Sequence, residues 1–77
     1  MKDVTIYTTP TCSFCHMTKS FFKQNDVEFD EVDLTKNQEA MKEVVEATGQ
    51  MGVPVTKIGD EYVIGFDKAT LSRLLDL

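Results

Sequence analysis

The chain has no tryptophan, only two cysteines, one histidine and two prolines, and its eight Lys and Arg residues are outnumbered by thirteen Asp and Glu. Each scarcity removes a class of explanation. Two cysteines cannot build the multi-bridge framework of small secreted domains, so the pair points to chemistry or metal binding rather than to a covalent scaffold. With one histidine beside them, a four-ligand zinc site is still a ligand short unless a carboxylate joins by chance, and no metal is expected. A net charge of −5 leaves no surplus cations to release counterions from a phosphate backbone, which excludes nucleic acid as the expected partner. No apolar run approaches the roughly 20 residues that span a bilayer, and "MKDVTIY" at the start lacks the apolar stretch of a secretory signal. The expected setting is cytoplasmic, with no membrane partner.

What is there suits a folded domain: the 77 residues are 42% hydrophobic, without repeats or low-complexity runs. So short a chain makes one domain, expected over residues 1–77, and buries about 60% of its unfolded surface. Charge is unevenly spread along it. Residues 26–51 hold eight carboxylates against Lys36 and Lys42, whereas residues 1–25 hold Lys2, Lys19 and Lys23 against Asp3. The segment carrying both cysteines is therefore locally basic.

Hydrophobic periodicity predicts the order β-α-β-α-β-β-α, an α/β fold with a four-stranded mixed sheet flanked by helices. "VTIY" (4–7) reads as the first strand, ended by "TTPT". Ser13 to Asn25 places Phe14, Met17, Phe21 and Phe22 at helical spacing. "VEFDEVD" (27–33) alternates at period two and reads as a strand parallel to the first. From Lys36 or Asn37 to Thr48, Ala40, Met41, Val44, Val45 and Ala47 gather on one side of a helix that Gly49 stops. "VPVTKI" and "EYVIGF" flank "GD" as a hairpin, and Asp67 caps a last helix, Lys68 to Leu75, that presents Leu71, Leu74 and Leu75 to the sheet. The first strand is placed centrally, between its parallel partner and the hairpin, with a right-handed crossover.

In this layout Cys12 lies where the first strand gives way to the first helix, a position whose free N–H groups and helix dipole favour a thiolate. Cys15 follows one turn on, within reach of a disulfide and less exposed. The chemistry implied is thiol–disulfide exchange: Cys12 attacks a substrate disulfide, and Cys15 then attacks Cys12 to release reduced substrate.

With the pair so placed, the chain resembles a glutaredoxin of the thioredoxin-fold superfamily, and most closely short glutaredoxin-like proteins of the YruB and NrdH-redoxin type. The resemblance covers essentially the whole chain and rests on "YTTPTCSFCH", on "GVPV" (52–55) and on "GFDK" (65–68), in that order. It implies a monomeric disulfide oxidoreductase without a tightly bound cofactor. Glutathione is its implied co-substrate and disulfide-containing proteins its implied substrates. It also implies that Pro54 follows a cis bond, with the Val53 backbone pairing to bound substrate, and that Gly65, Phe66 and Asp67 hold the γ-glutamyl end of glutathione. Thr9 and Ile64 stand where many relatives carry Lys and a further Gly, and "QMG" (50–52) precedes the "VP" where a basic residue or Thr is common. This pocket is less basic and more apolar than usual, so a thioredoxin-reductase-served, NrdH-type redoxin is the alternative, and an iron–sulfur-binding glutaredoxin a further one.

Phe14, between the cysteines, is divided between a substrate contact at the rim and core packing. His16 is read as an exposed helix residue in preference to a partner for the Cys12 thiolate, and Lys19 and Lys23 as solvated. Met41 is assigned to the core and Met51 to an exposed docking contact. "CSFCH" also fits the haem-attachment pattern, but the chain offers neither an export signal nor the mainly helical wrap that attachment needs.

Overall fold

The computed structural model describes residues 3–50 and 52–77. Met51, the expected docking contact, lies outside the described residues. Seven elements follow in order: β1 (Val4–Thr8), α1 (Ser13–Gln24), β2 (Asp30–Asp33), α2 (Gln38–Thr48), β3 (Val55–Ile58), β4 (Glu61–Ile64) and α3 (Lys68–Leu75). The four strands form one sheet in the order β2-β1-β3-β4. β1 pairs parallel to β2, from Thr5 opposite Asp30 to Thr8 opposite Asp33. It pairs antiparallel to β3, from Val4 opposite Ile58 to Tyr7 opposite Val55. The hairpin closes with Ile58 opposite Glu61, and Gly59, the first of its two loop residues, takes φ +60°, the sign a tight hairpin turn requires there.

Alternation along β1 divides the core between two faces. Val4 and Ile6 face α1 and α3, in a cluster with Phe21, Phe22, Ile58, Val63, Leu71 and Leu74. Tyr7 faces α2 and packs with Leu34, Ala40, Val44 and Val55. α3 starts as read from sequence, with the Asp67 side chain accepting from Thr70 N–H, whereas α2 starts at Gln38, just past the expected Lys36 or Asn37, because the Asn37 side chain caps it by accepting from Ala40 N–H. Gly49 ends α2 in the left-handed region at φ +76°, where a side chain would be strained.

Two other expectations change. Pairing in β2 starts at Asp30, three residues later than the alternation suggests, since β1 begins at Val4 and the register puts Val27 and Glu28 before its start. The chain turns out of α1 through Asp26 at φ +56°, and Val27 N–H donates back to the Phe22 carbonyl at 2.9 Å, so Val27 and Phe29 pack on the aromatic cluster as a connection. Ala47, grouped with the apolar side of α2, is exposed. Only Ala40 and Val44 of that helix are fully buried, since an 11-residue helix on a narrow sheet turns only a thin stripe inward.

Candidate active site

The C-terminal end of β1, the start of β3 and the end of β4 lie at one end of the sheet, because Tyr7 pairs with Val55 and Val55 with Ile64. The three loops at this end carry Thr9, Cys12, Val53, Pro54, Gly65, Phe66 and Asp67, and the first turn of α1 adds Phe14 and Cys15. Thr9 to Cys12 turn from β1 into α1, with Cys12 N–H donating to the Thr9 carbonyl at 3.4 Å. Val53 and Pro54, joined by a cis peptide bond, lead into β3. Gly65, at φ +75°, leaves β4 with its N–H on the Pro54 carbonyl at 2.8 Å, which ties the third loop to the second.

Cys12 is the N-cap of α1. Its backbone is extended, and its Sγ accepts the Cys15 N–H at 3.1 Å, filling the place an Asn, Asp or Ser side chain takes at most helix starts. A sulfur held there faces donors that α1 cannot satisfy internally, so negative charge on it is favoured. The Cα atoms of Cys12 and Cys15 are 5.2 Å apart and the two sulfurs are joined as a disulfide. The cysteines differ sharply in access: Cys12 is half-buried, whereas Cys15 is 1% exposed.

Phe14, Met17 and Ile64 are large hydrophobic residues left exposed, the first two sharing one side of α1 at three-residue spacing. Phe14 therefore takes the rim position rather than the core. Phe66 is half-buried, its ring edge-on to Phe21 with centroids 5.9 Å apart, so its side chain supports the core. Asp67 uses both carboxylate oxygens on Thr70, accepting its N–H at 3.2 Å and its hydroxyl at 2.8 Å, and these bonds hold the Asp67 carboxyl below the ordinary carboxylate range. His16 is exposed, and its N–H donates to the Cys12 carbonyl at 3.4 Å. Lys19, read as solvated, pairs with Glu31 at 2.9 Å, and Glu31 also accepts the Thr8 hydroxyl at 2.9 Å. Lys19 first and Thr8 second hold the Glu31 carboxyl low. No local pattern announces this link from α1 to β1 and β2, because its members are 12 and 23 residues apart in the chain. Among the described residues no group of three or more His, Cys, Asp or Glu side chains is placed to hold a metal ion, and no helix is long and apolar enough to cross a membrane.

A CxxC pair capping a helix beside a cis-proline loop has counterparts among known proteins, and the family model described as glutaredoxin matches residues 4–63. The chain belongs to the glutaredoxin family. It is 33% identical over 73 residues to a glutaredoxin-like 8.6 kDa protein of the rubredoxin operon of Clostridium pasteurianum, covering 95% of this chain and 97% of that one. It is 31% identical to glutaredoxin 3 of Escherichia coli over 67 residues, 87% of this chain and 81% of the relative. The solved structure of the glutaredoxin-like protein NrdH-redoxin from Escherichia coli superposes with a TM-score of 0.82 at 32% identity, covering 94% of this chain and 93% of that one. The fold is thioredoxin-like, and the activity class is that of a thiol–disulfide oxidoreductase.

Proposed function

We propose that this domain, residues 1–77, reduces protein disulfides in the cytoplasm as a monomer, with Cys12 as the attacking thiolate and Cys15 as the resolving one. The observation that carries the assignment of roles is the asymmetry of the pair. Cys12 is partly open and held by a helix N-terminus, while Cys15 is buried behind it. An outside disulfide sulfur can reach only the first, and the second reacts only with what the first has bound. The exposed Phe14, Met17 and Ile64 suit an apolar stretch of polypeptide lying across the site, with the Val53 backbone beside it.

The same rim bears on the electron donor. Glutathione is a small ionic ligand whose ends need charged or polar partners. Thr9, Val53 and Gly65 supply no charge and the ring of Phe66 is turned to the core, which leaves the exposed Asp67 carboxylate as the one charged group among these five residues. A protein reductase of the thioredoxin-reductase class is thus the better fit, and NrdH-redoxin, described as having a thioredoxin-like activity profile, is a relative of matching size. The glutathione reading retains one support, the backbone of Gly65 and the Asp67 carboxylate at the cysteine end of the sheet.

Two coupled assays on one NADPH readout separate the donors. Turnover with thioredoxin reductase and little with glutathione plus glutathione reductase is expected. The reverse ranking would overturn the choice of donor without touching the cysteines. Cys12→Ser should abolish turnover in either assay, and Cys15→Ser should accumulate a mixed disulfide visible by mass spectrometry. Retention of turnover by Cys12→Ser would overturn the roles.

A further inference from the structure

Cys15 is buried but belongs to neither of the apolar clusters that make the core. The buried residues also outside those clusters are Thr8, Thr18, Thr56 and Pro54. All three threonines lie on the side of the sheet that α1 and α3 cover. Thr8 lies two residues beyond Ile6 on β1, and Thr56 sits opposite Ile6 on one side and Val63 on the other. Thr18 follows Cys15 on the sheet-facing stripe of α1, which continues through Phe21 and Phe22. α1 starts just after the C-terminal end of β1, and its later residues Phe21 and Phe22 share a cluster with Val4 at the other end of that strand, so Cys15 and Thr18 lie toward the end of the sheet where Thr8 closes β1 and Thr56 is the second residue of β3.

Two of the three hydroxyls are committed. Thr8 donates to Glu31 at 2.9 Å, and Thr18 donates to the Phe14 carbonyl at 2.9 Å. Thr56 Oγ1 is fully buried and, among the described residues, has no hydrogen-bond partner. A buried hydroxyl without a partner lowers stability, and valine would fill the same space without that penalty. The hydroxyl is thus free to donate to any neighbouring group that becomes a stronger acceptor when the redox state changes. In the disulfide the Cys15 sulfur is a weak acceptor, whereas a thiolate is a strong one.

We propose that the Thr56 hydroxyl is the hydrogen-bond donor to the Cys15 sulfur in the reduced protein, favouring the Cys15 thiolate for its attack on Cys12. The proposal rests on Cys15 as the resolving cysteine. In that step the Cys15 thiol gives its proton to solvent and its sulfur attacks Cys12 Sγ. The Cys12–Cys15 bond forms as the bond from Cys12 to the substrate sulfur breaks. The electron pair leaves with the substrate sulfur, which takes up a proton from solvent, so the substrate is reduced and the cysteine pair oxidised.

The test uses Cys12→Ser, which retains a helix-capping side chain and leaves Cys15 as the only thiol. Its ionisation is followed by ultraviolet thiolate absorbance with and without a change at Thr56. Thr56→Val should lower the ionised fraction of Cys15 at neutral pH by about three- to tenfold, the scale of one hydrogen bond to a charged group. Thr56→Ser, which keeps the hydroxyl, should restore it. In the protein with both cysteines, Thr56→Val should raise the denaturant midpoint of the disulfide form more than that of the dithiol form. An unchanged Cys15 titration, with equal gains in both redox states, overturns the proposal, and Thr56→Ala read in the same way covers a valine variant that fails to fold. Because the titration involves no turnover, a reversal of the cysteine roles would appear in the coupled assays and not here.

Discussion

The two faces of the sheet differ in the size of their core, eight buried apolar residues under α1 and α3 against five under α2 among the described residues, and they treat their buried polar groups in opposite ways. On the α2 face, the hydroxyls of Tyr7 and Tyr62 both donate to one oxygen of Glu43, at 3.0 and 2.7 Å. Lys57 approaches the same oxygen at 3.6 Å and lies over the Tyr62 ring, 5.7 Å from its centroid. The clamp joins α2 to β1, β3 and β4 with its charges matched. On the face covered by α1 and α3, a buried cysteine and a threonine hydroxyl unpaired among the described residues lie outside the apolar cluster. A satisfied network holds one arrangement rigidly, whereas an unsatisfied group is useful only if the molecule visits a state that pairs it. The division teaches that the chemistry occupies one side of the sheet and the other side anchors it.

The strongest way to break the comparison is to attack the packing under the reactive face. Phe22 is fully buried and contacts Phe21 and Phe29 at ring-centroid distances of 6.1 and 5.4 Å. Phe22→Ala should cost about 3–5 kcal/mol in denaturant titrations, a large share of what a domain this small possesses. A loss below about 1 kcal/mol would mean that the aromatic cluster is not the keystone of that face.

On the opposite face, Glu43→Ala strands the buried Tyr7 hydroxyl and should cost about 1–3 kcal/mol while leaving disulfide turnover within about twofold. The clamp also has a pH signature. Burial first, and the hydrogen bond to Glu43 second, push the Tyr7 hydroxyl from 10.0 up to about 12. A folded value above the unfolded one means that the stabilisation is complete below pH 10.0 and is lost as pH rises through about 12. At about 1.4 kcal/mol per pH unit, that loss is about 2–3 kcal/mol. Chemical denaturation across this range should show it, and Glu43→Ala should flatten the slope. Glu43 is held low by Tyr62 and then Tyr7, so its own contribution is present above the ordinary carboxylate range and fades as pH falls through it.

The smallest effect sharpens the contrast between the two helix starts. Asn37→Ala removes the side chain that accepts the Ala40 N–H at 3.0 Å and should cost about 1 kcal/mol with no change in turnover. Cys12→Ser keeps a capping side chain on α1, so compared with the reduced protein it should barely change stability while removing turnover. Equal stability losses from the two variants would show that sulfur caps α1 more firmly than serine does.

Much of this was legible in the sequence because it depends on neighbours in the chain. The order of elements, the cap at Asp67, the stop at Gly49 and the start of α1 at Cys12 follow from side-chain periods and from the groups a helix end leaves open. The misjudged segments are those where a partner decides. Val27 to Phe29 alternate like a strand but come before the pairing with β1 begins, and Ala47 has the right character but no surface to meet. Phe14 and Met17 share helical spacing with Phe21 and Phe22, yet only the latter two are buried.

The sequence by itself determined the site's chemistry: two thiols three residues apart at a strand-to-helix junction, a proline and a glycine-bearing loop downstream, and few charges around them. These are local features, set by backbone geometry over one or two turns. Only the tertiary structure decided that Glu43 would gather two tyrosines 36 and 19 residues away, that Lys19 and Thr8 would meet at Glu31, and that Thr56 alone of the three buried threonines would go without a partner among the described residues. Those outcomes depend on strand register and on how each helix settles over the sheet, and a hydrogen bond that fails by an ångström leaves no trace in the order of the residues.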